Sequence, residues 1–294
     1  MKLGLHMPAT DWGVAPSGIG TRLAEIAEAA EVAGFDTIAV ADHLWQHPIM
    51  GGPESNMLGA YTTLGFIAAR TSRVRLMTMV TCAPYRPAGL LAKMVTTLDV
   101  LSGGRVVLGI GVGDYPEEAA GIGLPFPSLG DRYETLEETI QVCLERWEGA
   151  QGSGKPVHGR HVTIERSLNL PQALTRPYPP ILISGGGETR TLPLVAKYAD
   201  ACNIPPSPAI PGKLELLKRL CDETGRDYDA IEKTAPFGFD VGEDGSKAIE
   251  VVEQLRWLHG MGIETVHGWV VGVDRITPME VMAREVIPEV SGWA

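Results

Sequence analysis

No stretch of this chain stays apolar for anything near the ~20 residues that a bilayer-spanning helix needs, so a membrane-spanning role is not expected. Basic residues are short: 25 Lys and Arg face 36 Asp and Glu, a formal net charge of −11. That balance sets aside nucleic acid and anionic membrane as general partners. Cysteine is scarce. Cys82, Cys143, Cys202 and Cys221 form no C-x-x-C pair and have no zinc-like spacing with histidine, so mostly buried free thiols in a reducing cytoplasm are expected. The opening "MKLGLHMPATDWG" lacks a basic region followed by a long apolar core, and no secretory leader is expected. Nucleophile elbow, H-E-x-x-H and a clear Ser–His–Asp arrangement are all missing. An enzyme with this inventory delegates its chemistry to a cofactor.

What is present is a rhythm of apolar strands and helix-periodic segments. "KLGLHM" (2–7) reads as a buried strand, and the helix after it stops at Gly34. The same alternation continues through "FDTIAVA", "RVRLMTMVT" and "RVVLGIG" to a helix over 128–148, with Ser128 as N-cap. An irregular Gly- and Pro-rich insertion covers 149–178 and carries a small hairpin, "PVHGRHVTIE". Four more units follow, with strands at "PPILIS", "DACNIP", "EKTAPFGFDVG" and "ETVHGWVVG". Eight strand–helix units imply a single (β/α)₈ TIM barrel over 1–294. The competing doubly wound sheet would carry a glycine-rich turn after its first strand, where this chain has "PATDWGVAPSG".

In such a barrel, function sits at the C-terminal ends of the strands. His6, Asp42-His43, Thr78 to Cys82, Gly111 to Tyr115, Ser184 to Glu188, Asn203, Asp240 and Trp269 occupy those ends. "SGGGETR" brings three glycines between a strand and a helix. There, backbone N–H groups can converge on an anion, with Thr189 and Arg190 as further contacts. A plain flexible turn is the alternative. Asp42 and His43 end an apolar strand, so they face the mouth; the alternative for Asp42 is to cap a loop. His43 and His47 are four apart, but "HLWQHPIMGGP" is not helical in pattern, and no metal is expected. Gly109, Gly111 and Gly113 alternate through strand four, which would bare one face for a flat ring, or simply permit tight packing. "GAQGSGKP" fits G-x-x-x-x-G-K, but Pro156 replaces the Ser/Thr that would hold magnesium, so ATP is set aside.

"EIAEAAEVAGFDTIAVADHLWQ", "LLAKMVTTLDVLSGGRVVLGIGVG" and "PPILISGGGETRTLPLVAKYADACNI" together resemble the bacterial luciferase-like superfamily, most of all its branch of deazaflavin (coenzyme F420)-dependent oxidoreductases. The resemblance implies a barrel with an insertion, a homodimer, and a deazaflavin ring in the mouth. Ser184, Gly185, Gly186, Gly187 and Glu188 would hold its phosphate. Asp42, Thr78, Met79, Gly111 and Gly113 would lie near its ring, and a non-prolyl cis peptide is expected at Thr78-Met79. FMN fits the same phosphate loop, so a flavin monooxygenase is the second reading, and a non-catalytic cofactor-binding relative the third. As a reductase, the protein would pass a hydride to a C=C or C=N bond. His43 is the first proton donor by its ordinary pKa, and Asp114 or Tyr115 the second. "GDYPEE" and "CAPYRP" depart from the family pattern, so the substrate is not copied from relatives. The loops 43–57, 83–87 and 114–127 mix Trp45, Tyr85, Tyr115 and Phe126 with Glu54, Arg86, Asp114, Glu117 and Glu118. They suit a medium-sized, partly apolar organic molecule.

Overall fold

A computed structural model describes residues 1–293. The first half of the chain runs β1 (Lys2–Met7), α1 (Pro16–Ala33), β2 (Thr37–Val40), α2 (Ala60–Ala68), β3 (Arg75–Thr78), β4 (Thr81–Cys82), α3 (Ala88–Ser102), β5 (Val106–Gly111), α4 (Pro116–Gly121) and α5 (Leu129–Trp147). Next come the insertion hairpin β6 (Val157–His158) and β7 (Thr163–Ile164), then β8 (Ile181–Ser184), α6 (Thr191–Tyr198), β9 (Ala201–Asn203) and α7 (Ile210–Thr224). The chain ends with β10 (Glu232–Phe239), α8 (Ala248–Gly260), β11 (Thr265–Val270), α9 (Thr277–Val281) and α10 (Ile287–Ser291).

Eight strands, β1, β2, β3, β5, β8, β9, β10 and β11, pair in parallel, and the β3–β5 pairing closes them into a barrel. Parallel strands covered on both faces should be apolar throughout, and all four residues of β2 (TIAV) are buried. Alternate side chains serve two cores. Ile38 and Leu76 face the helices, while Ala39, Met77, Val107, Leu182 and Ala201 form a separate cluster inside the barrel. Gly34 ends α1 at φ 96°, a left-handed conformation that explains the glycine. Ser128 caps α5 by accepting from the Asp131 amide at 3.2 Å.

The expected third strand is two pieces. β3 keeps its ladder with β2 as far as Val40↔Thr78, and the Met79 amide still donates to the Val40 carbonyl at 2.8 Å. Only then does the chain leave the ladder, to resume as β4 beside the end of β5. The cis bond is therefore Met79-Val80, one residue beyond the expected Thr78-Met79. This kink also explains Gly109, where a Cβ would overlap the Thr78 carbonyl oxygen. At Gly111 a Cβ would come within 3.0 Å of Val80 Cγ2. Much of the bare face along β5 is thus filled by the chain's own kink.

Candidate functional site

A cavity of about 370 Å³ opens at the C-terminal ends of the strands, within the size range of small-molecule pockets. Asp42, His43, Gly111, Gly113, Asp114, Ser184 and Gly185 line it, as does Met79 at the kink. The cavity reaches the loop at Gly185, and Gly186 to Glu188 continue that loop beyond its rim. Thr78 stands behind the wall, its hydroxyl donating to the Gly109 carbonyl at 2.8 Å. Tyr115 is buried but does not line the cavity; its ring packs 6.0 Å from His43 and 5.2 Å from His47. Of the other strand-end residues, Asn203 lines the cavity, Asp240 pairs with Lys247 at 2.5 Å, and Trp269 lies half-exposed over Gly238.

Asp42 and His43 are adjacent in sequence and hold different partners. The Asp42 carboxylate is fully buried and receives both arms of Arg86, at 2.5 and 2.7 Å. Burial pushes this carboxyl up from its ordinary value, and the guanidinium pulls the other way. His43 directs Nδ1 at Glu118 Oε2, 3.2 Å away. Glu118 is buried and also accepts from the Leu44 and Trp45 amides (2.5 and 2.9 Å) and from the Tyr85 hydroxyl (2.8 Å). Burial alone would lower the His43 pKa, but the Glu118 carboxylate, with Asp114 and Asp42 adding to it, outweighs burial and holds the imidazole above its ordinary value. Burial raises the Glu118 carboxyl, and its four donors more than reverse that, leaving it low. With Nδ1 engaged, Nε2 is the His43 nitrogen left to exchange a proton. Cys82, also on the cavity wall, has its thiol pushed up to about 12 by burial, so it is no nucleophile at neutral pH.

The glycine loop is built from backbone. Gly185 has φ 123°, and its amide donates to the Asn203 carbonyl. Gly187 abuts Thr191 Oγ1, which a Cβ would approach to 3.0 Å. Lys213 on α7 donates to the Gly186 carbonyl at 2.5 Å and pairs with Glu188 at 3.1 Å. Because C=O and N–H of a trans peptide point oppositely, this turns the Gly187 N–H away from the lysine. Among the described residues, no acceptor is bonded to the amides from Gly186 through Arg190. Arg190 lies over the Tyr133 ring, 5.5 Å from its centroid, and the Tyr133 hydroxyl meets Thr191 Oγ1 at 2.8 Å. Away from the cavity, Asp131, Glu134 and His161 converge, and Arg160 sits against both carboxylates.

The sequence reading left Glu118, Arg86 and Tyr85 as unassigned loop residues and did not single out Lys213. A signal for Glu118 was available: Pro116 followed by two glutamates is how a helix starts, and α4 begins there. For Arg86 and Lys213 no local signal exists, since their contacts lie 44 and 27 residues away.

The luciferase-like monooxygenase family matches residues 1–281. An F420-dependent glucose-6-phosphate dehydrogenase of Kineococcus radiotolerans is 30% identical over 267 residues, covering 85% of this chain and 71% of that one. Another, from Microbacterium testaceum, is 39% identical over 123 residues, covering 41% of this chain and 35% of its own length. Two solved structures share the fold across 98% of this chain and 99% of theirs. The F420-dependent tetrahydromethanopterin reductase of Methanopyrus kandleri has a TM-score of 0.79 at 18% identity. The monooxygenase RslO1 of Streptomyces bottropensis has a TM-score of 0.78 at 19% identity. With the match spanning nearly all of its length, this chain belongs to the luciferase-like monooxygenase family.

Proposed function

We propose that this protein is a coenzyme F420-dependent oxidoreductase that reduces a C=C or C=N bond of a small organic substrate by hydride transfer. The observation that carries the reading is the 30% identity to an F420-dependent dehydrogenase over 85% of the chain, together with a loop in this chain whose amides are free for an anion. The residues present fit the cofactor. Backbone donors from Gly186 through Arg190 suit its phosphate, with the N-terminus of α6 behind them. Met79, Val80, Gly111 and Gly113 offer a largely apolar wall for its ring. Bound and reduced, the deazaflavin supplies a hydride from C5.

The chain's own residues do the rest. The loop would fix one end of the cofactor, and Met79 and Val80 line the wall against which a ring would lie. His43 Nε2 holds the proton that the reduced substrate must gain, and Glu118 keeps the imidazole charged and oriented from behind. Arg86 and Asp42 brace the floor on which His43 stands. Asp114, exposed at the cavity rim, is the second candidate donor; Tyr115 acts through packing. A homodimer accompanies this reading.

Titration with F420 and with FMN, followed by tryptophan fluorescence, tests it. Saturable quenching by F420, stronger than by FMN, is expected. Tight FMN binding with negligible F420 binding would overturn it in favour of a flavin monooxygenase.

A further inference from the structure

The dehydrogenase relatives carry a phosphate ester in their names, and this cavity is built against one. A phosphate ester brings close to two negative charges, which proteins meet with Arg, Lys or backbone amides, and in the proposed reading the open amides from Gly186 to Arg190 are taken by the cofactor. Among the described residues, no Arg or Lys lines the cavity, whereas three carboxylates do: Asp42, Asp114 and Glu118. Two of these are matched, Asp42 by Arg86 and Glu118 by His43. Asp114 has no ion-pair partner among the described residues and stands exposed at the rim.

Cations near the mouth are already committed. Arg132 spends its guanidinium on the Val112 and Gly113 carbonyls and lies 4.0 Å from the Phe126 ring centroid. Lys213 holds the glycine loop, Lys247 pairs with Asp240, and Arg275 pairs with Glu243. The segments 43–59, 112–128 and 204–209, which follow β2, β5 and β9, contain no Lys or Arg at all. Arg190 forms no ion pair among the described residues, but it lies over Tyr133 in a separate cleft that Glu134 and Glu137 also line.

We propose that the substrate of this barrel is an uncharged or cationic organic molecule, recognised beside His43 with Asp114 at the rim, and that glucose 6-phosphate is not its substrate. This rests on the oxidoreductase reading for the reaction, but the charge preference belongs to the walls of this chain alone.

The test uses three probes of one shape, benzyltrimethylammonium, benzyl alcohol and benzyl phosphate, titrated against the His43 imidazole signals by NMR. It is run with and without F420, so a cofactor that fails to bind counts against the oxidoreductase reading and leaves the ranking at His43 readable. The cation and the alcohol should each bind at least about fivefold more tightly than the phosphate, as one uncompensated charge at a part-exposed site allows. Asp114→Asn should narrow the gap between cation and phosphate. Benzyl phosphate binding as tightly as the alcohol, an unchanged gap in Asp114→Asn, or oxidation of glucose 6-phosphate by the F420-loaded protein would each overturn the proposal.

Discussion

The two ends of the cavity are built on opposite principles. At the β2–β5 corner, side chains satisfy one another: Arg86 closes on Asp42, and Glu118 gathers His43, Tyr85 and two amides. At the β8 end, the backbone is left open, with a lysine behind it holding a carbonyl rather than filling the loop. A site that is finished at one end and open at the other suits a bound group that supplies its own reactive ring and its own anionic tail. At the finished corner Nε2 of His43 is left free to act, with the unpaired Asp114 carboxylate at the rim beside it.

The largest effect expected from breaking the finished corner is on folding. Asp42→Asn leaves the largely covered Arg86 guanidinium without its buried carboxylate, which should cost about 3 kcal/mol of stability in urea denaturation. An unchanged midpoint would mean that Arg86 finds another partner. Next, His43→Asn should slow reduction of cyclohex-2-enone by the F420-loaded protein about 10²–10⁴-fold, with cofactor affinity held. In the wild type that rate should be highest at low pH and fall as pH rises through the raised His43 pKa, because the donor must carry its proton. The pair's contribution to stability has the same sign. It is complete below the ordinary histidine value of 6.5 and is lost as pH rises through the folded value.

The open end should respond differently. Gly186→Val places γ-methyls where Ile204 and Lys213 already lie 3.4 and 3.5 Å from a Cβ. Its F420 affinity should fall about tenfold, some 1.4 kcal/mol, while turnover at saturation stays close to wild type. A drop in turnover with unchanged affinity would reverse the roles assigned to the two ends. Smallest is Ser128→Ala, which removes the cap of α5 and should cost about 1 kcal/mol without touching cofactor binding.

The barrel was legible because parallel strands and amphipathic helices each repeat a pattern that survives in one dimension. Gly34, Ser128 and the hairpin at 157–164 were legible for the same local reason. What stayed hidden was set by distance or by register. The kink was expected, but its cis bond was placed at Thr78-Met79 because sequence does not reveal how far the β2 ladder carries β3; it lies at Met79-Val80. The alternating glycines of β5 signalled close approach, and much of what approaches is the chain itself. Glu118 meets His43 across 75 residues, a pairing that no local pattern encodes.

The central claim is that His43 is poised by Glu118 with its outer nitrogen free. Its most direct test needs neither cofactor nor substrate: titration of the His43 imidazole by NMR in the wild type and in Glu118→Gln. The wild-type pKa should lie above 6.5 and fall clearly in the variant. A wild-type value below 6.5, or one that Glu118→Gln leaves in place, would contradict the account.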